Sequence, residues 1–146
     1  MSNSYIESTD ELSDESFYDK FKKSYLPSYD FFELFFAKLF LKEITELESK
    51  NIKKIIYDIK KKNILKNLLQ DVNVSFNGLE YVSDDLTKNL NILQTLGVIG
   101  RINPTYETII NKYDDSKARE KIEQLKLYST DMDNFIKDFI SPIKSN

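Results

Sequence analysis

The chain has 146 residues, 40% of them hydrophobic, and a net charge of −3. That length can bury the core of one domain, and the composition is globular, not disordered. There is no cysteine and no histidine, and there are only three glycines. This removes disulfides, thiolate and histidine catalysis, the usual zinc sites and a glycine-rich phosphate loop.

An enzyme is therefore not expected, nor a cofactor. The acidic balance also counts against a general nucleic-acid binder, and no nucleic-acid partner is expected. The N-terminus is polar and acidic, unlike a secretory leader, so a cytoplasmic location is expected. Phe31–Leu41, the most apolar run, is broken by Glu33 and Lys38 and is too short to span a bilayer. A membrane role, such as at the mitochondrial surface, would need a C-terminal anchor beyond Ser141–Asn146.

Residues 1–12 carry Glu7, Asp10 and Glu11 and no base, and read as a flexible acidic tail. Residues 13–146 read as a single domain. A first helix is predicted over Ser13–Leu26, with Phe17, Phe21 and Tyr25 at four-residue spacing and Pro27 as its stop. A second runs from about Tyr29 to Ser49. Its Phe31, Phe32, Phe35, Phe36, Leu39 and Phe40 form a broad apolar face that reads as core.

Ile52, Ile55, Ile56 and Ile59 then fall at amphipathic helix spacing. The phase breaks at Lys60–Asn63 and restarts with Ile64, Leu65, Leu68 and Leu69, so two short helices are expected. The seven lysines between Lys50 and Lys66 lie mostly off the isoleucine stripe and read as a solvated face. Residues 71–82 suggest a loop or irregular helix with Phe76, Leu79 and Tyr81 packed inward.

Asn89 through Gly100 carries no charge. Ser83 suits an N-cap, and Asp84 and Asp85 suit the first turn. A helix with Leu86, Leu90 and Leu93 on one face and Ile92, Leu96 and Ile99 on another reads as the buried centre of a bundle. Gly97 would let neighbouring helices approach, or would end this one. Asn103-Pro104 resembles a helix start, and Tyr106, Ile109, Ile110 and Tyr113 follow at helical spacing. A helix is therefore favoured over a β-hairpin there. Further helices are predicted from Asp115 to about Tyr128, with Ala118 inward, and from Thr130, capped with Asp133, to a stop at Pro142. The expected fold is all-α, with about seven or eight helices around one central apolar helix.

Residues 83–142, with LNILQTLGVIGRINPTYETI and the terminal DNFIKDFISP, resemble the C-terminal half of poxviral members of the Bcl family of apoptosis regulators. Cellular members carry Asn-Trp-Gly-Arg where this chain has Asp85-Leu86-Thr87-Lys88, so the basic last position is kept. The resemblance implies an inhibitor of apoptosis. It would sequester the death-motif helix of pro-apoptotic Bcl-family proteins in an apolar groove. Lys88, with Arg101 as runner-up, would pair with the ligand's aspartate. Ile56, Leu65, Leu69, Phe76, Leu86 and Leu90 would supply apolar contacts. A homodimer stays open. Two alternatives remain. One is a winged-helix DNA-binding regulator with 83–99 as recognition helix and 98–111 as wing; the other is a protein-binding inhibitor from a mobile element.

Overall fold

The computed structural model describes residues 25–145. The acidic tail and nearly all of the helix expected over 13–26 lie outside them. The described chain is mixed α/β, which corrects the all-α bundle. In order come α1 (Ser28–Leu41), β1 (Glu46–Glu48), α2 (Ser49–Lys61), α3 (Lys66–Leu69), β2 (Ser75–Phe76) and β3 (Tyr81–Val82). Then follow α4 (Asp84–Thr95), β4 (Ile99–Arg101), β5 (Thr108–Asn111), α5 (Asp115–Gln124), a 3-10 turn and α6 (Ser129–Ser145).

The central helix is α1, not the uncharged segment after Ser83. Every residue from Phe31 to Ala37 is buried, Glu33 included. A helix that is apolar all round must be covered all round, and α3, α4, α5 and α6 pack against it. Phe31 and Phe35 stack at 6.1 Å between ring centres. Phe135 of α6 meets both edge-on, at 5.3 and 5.7 Å, and Phe139 meets Phe35 at 5.4 Å. Each such pair adds about 0.5–1.5 kcal/mol beyond its buried area. The single acid in this core, Glu33, faces Lys121 of α5 at 2.8 Å.

α1 ends at Leu41, well short of the expected Ser49. Its last turn closes as a Schellman motif: the Glu43 N–H donates to the Phe40 carbonyl and the Ile44 N–H to the Leu39 carbonyl, both at 2.9 Å. Glu43 stands at φ 64°, a left-handed conformation usually given to glycine. The chain then turns into β1.

Three strands form one antiparallel sheet in the order β1-β5-β4. Leu47 pairs with Ile109, which pairs with Arg101, and Ile99 pairs with Asn111. Leu47, Ile99, Ile109 and Asn111 are buried. The Asn111 side chain donates 2.8 Å to the Phe36 carbonyl, tying the sheet to the middle of α1. The helix expected after Pro104 is therefore strand β5. Thr108, Ile109 and Ile110 are β-branched, and burial along β5 alternates with period two. The same isoleucines also fit a helical spacing, which is why periodicity misled.

β2 and β3 form a separate hairpin. Asn77 accepts the Leu79 and Glu80 N–H groups, and Gly78 takes φ 98°. Far from packing inward, this hairpin leaves Leu79 92% exposed. α6 runs past Pro142 to Ser145. The carbonyl that proline leaves without a donor belongs to Asp138, an exposed residue that water can serve.

Glu43→Gly is expected to stabilise the protein by about 1 kcal/mol, because it relieves the left-handed conformation of a residue bearing a Cβ; a urea midpoint that stays or falls would contradict this. Burial and the nearby Glu33 carboxylate push the Tyr29 hydroxyl up from 10.0 to about 12. The unfolded chain therefore ionises first as pH rises. The stability tied to neutral Tyr29 should be complete below pH 10 and be lost through pH 12. Tyr29→Phe should flatten that alkaline slope, as read by urea titrations at stepped pH.

Candidate nucleic-acid interface

α4 is half-buried rather than central. Ser83 caps it, its Oγ accepting from the Leu86 N–H at 3.0 Å. Leu86, Asn89, Leu90 and Leu93 face the core. Asn89 is satisfied there, donating to the Asp85 carbonyl at 2.8 Å and to the Ser28 hydroxyl at 3.2 Å. Thr87, Lys88, Asn91, Ile92, Gln94 and Thr95 are exposed. The helix thus turns one apolar face inward and one polar, nearly uncharged face to solvent.

The helix ends in a second Schellman turn. The Gly97 N–H donates to the Gln94 carbonyl at 3.1 Å and the Val98 N–H to the Leu93 carbonyl at 2.9 Å. Gly97 sits at φ 79°, so it ends the helix and does not serve helix packing. β4 starts two residues later. β4 and β5 form an antiparallel ribbon joined by residues 102–107. This connection is long enough to need no two-residue glycine turn. Ile102 and Tyr106 are both 47% exposed at its tip.

Arg101 is the hinge between ribbon and helix. Its register opposite Ile109 puts it on the helix side of the sheet. Its Nε donates 2.7 Å to Gln94 Oε1, and a terminal nitrogen donates to Asn91 Oδ1. The guanidinium also lies 5.4 Å from the Tyr106 ring centre. Among the described residues it pairs with no carboxylate.

The start of α2 lies beside the point where the connection enters β5. The Ser49 N–H donates 2.8 Å to the Glu107 carbonyl, and its hydroxyl donates to the Glu107 carboxylate. A cleft of about 310 Å³ opens there between Lys50, Lys53 and Lys54 on one side and Tyr81 and Glu107 on the other. Lys54 is held charged by Asp58 at 2.8 Å, and its pKa is raised by that hydrogen bond. Lys50 and Lys53 are in no ion pair among the described residues.

The residues assigned to a death-motif groove do not line one crevice. Ile56, Leu69, Leu86 and Leu90 are core residues, none more than 3% exposed. Leu65 is half-buried at φ 54°. Phe76 stands on the β2–β3 hairpin, in a ring cluster with Tyr57 and Tyr81. Leu69 reaches a cleft of about 360 Å³ shared with Lys60, Ile64 and Lys66. Lys88 and Arg101 do stand near one surface, on the outer face of α4 and at its ribbon. The residues between them, Asn91 and Gln94, escaped the sequence reading as site members. Their signal was present: long uncharged polar side chains on the outward positions of an amphipathic helix. Among the described residues no acid cluster is built for a metal, and no helix is long and apolar enough to cross a membrane.

Lys88→Glu is expected to leave stability within about 0.5 kcal/mol, as an exposed substitution. Leu90→Ala should cost about 2–5 kcal/mol. Thermal unfolding of the two variants would contradict this assignment of faces if the order were reversed.

Comparison with protein-family models, with curated proteins and with solved structures returns no match to this chain.

Proposed function

We propose that this chain is a non-enzymatic, duplex-DNA-binding domain of the winged-helix kind. One observation carries the reading. A helix with a polar, nearly uncharged outer face leads through a three-residue turn directly into an antiparallel ribbon, whose strands continue a sheet in the order β1-β5-β4. The Bcl resemblance implied an all-helical bundle, whereas the described fold is mixed α/β.

The chemistry is consistent with a duplex. The major groove admits an α-helix and presents base edges to hydrogen-bonding side chains. The outer face of α4 offers Thr87, Asn91, Gln94 and Thr95 for those edges, and few charges that would dominate them. Phosphate contacts would come from Lys88, from Lys112 beyond β5, and from Lys50 and Lys53 beside Glu107 at the start of β5. The acidic balance that argued against nucleic acid is carried by the start of the chain. Six of the 24 acidic residues but only three of the 21 basic ones precede Tyr25, so the rest is charge-neutral.

Titration of a fluorescent random-sequence duplex should reveal binding at 50 mM salt that weakens steeply by 200 mM. Three or four phosphate contacts correspond to a log–log slope of about −3. Lys88→Glu should weaken binding and reduce that slope by about one. Folded wild-type protein that leaves the duplex unbound at 50 mM salt, yet captures a death-motif peptide, would reverse the assignment.

A further inference from the structure

We propose that Asn91 and Gln94 are the base-reading pair of α4, that Arg101 positions them, and that the preferred duplex carries A·T pairs at neighbouring steps. This rests on the duplex-binding reading above.

Arginine has only donors, so each carboxamide must turn its oxygen towards Arg101. Nε reaches Gln94 at 2.7 Å and the terminal nitrogen reaches Asn91. Each amide oxygen keeps a second lone pair, next to its own NH2 group. The pair of atoms that can bind adenine N6 and N7 together is thereby left free and its flip is set. Residues three apart on a helix rise by about 4.5 Å, close to the 3.4 Å step of a duplex. The two carboxamides can thus address neighbouring base pairs.

The surroundings point to the same bases. From Thr87 to Thr95 the only charged side chain is Lys88. Guanine is most often read by a forked arginine, and the arginine nearest this face already holds two amides and a tyrosine ring. Ile92 is 37% exposed, and the methyl groups of Ile92, Thr87 and Thr95 suit the thymine methyl. An exposed carboxamide ordinarily loses rotamer freedom on binding; one already held loses less. Arg101 is thus a positioning residue and not a phosphate contact.

The test is selection from a random-sequence duplex library with the full chain, beside its Asn91→Ala, Arg101→Ala and Arg101→Lys variants. Wild type should enrich A·T pairs at two adjacent positions. Asn91→Ala should relax one of them, with discrimination there falling about fivefold or more. Arg101→Ala should relax both while changing affinity for random duplex by less than about threefold and leaving the salt slope intact. Arg101→Lys, which keeps one donor, should restore part of the preference. Uniform weakening by Arg101→Ala, with a slope reduced by about one, would mark a phosphate contact and overturn the proposal. In the free protein, the side-chain amide resonances of Asn91 and Gln94 should move to solvent-exposed values in Arg101→Ala with the rest of the spectrum kept. If they do not move, the positioning role is overturned whatever the binding data. Sequence-blind binding by wild type overturns this proposal alone, whereas a folded wild type that binds no duplex defeats the reading on which it rests.

Discussion

A helix with apolar residues on every side cannot lie on a surface, and α1 is such a helix. Its phenylalanines demand cover from all directions, and four other helices are drawn around it. Because α1 occupies the centre, α4 needs to bury only one face. Leu86, Leu90 and Leu93 meet that demand, and the opposite face is free to carry Asn91, Gln94 and Thr95. The exposed polar surface of α4 is thus a consequence of where the aromatic residues were spent.

The ribbon after α4 depends on two small devices. Gly97 takes the left-handed conformation that turns the chain out of the helix, and Arg101 folds the start of the ribbon back onto the helix it has just left. Together they make helix and ribbon one surface rather than two neighbours. Glu107 does the same at the other end, accepting from Ser49 at the start of α2. The lysines around that junction are thereby placed beside the start of β5, although nothing in their local sequence distinguishes them from a solvated face.

What could be read from residues alone was what depends on local pattern. The phenylalanine stripe as core, Ile52, Ile56 and Ile59 as the inner face of α2, the Ser83 cap and buried Ala118 all follow from spacing and capping chemistry, and all are found. The rest was hidden for identifiable reasons. Glu43 ends α1 in a conformation that sequence signals assign to glycine, so the residues alone predict a longer helix and no β1. Ile109 and Ile110 satisfy two periods at once, and only pairing with β1 and β4 makes them strand. The six-residue connection 102–107 lacks the dipeptide that marks tight hairpins because its length does not require one. Which apolar helix lies innermost is a tertiary question: the Leu86 segment offers a second apolar stripe only if the helix runs on to Ile99, and Leu96 and Ile99 fall beyond the end of α4.

Asn111 has a mechanical consequence. Its carboxamide is buried and spans from the ribbon to the Phe36 carbonyl. Sliding β5 by one residue would rotate that amide outward, strip it of its partner and expose Ile109 as well. The root of the ribbon is therefore latched, and with Glu107 held by Ser49 any bending during an encounter is confined to residues 102–106. A stiff base with a compliant tip lets residues 102–106 adapt to a contour while the angle between ribbon and helix stays constant.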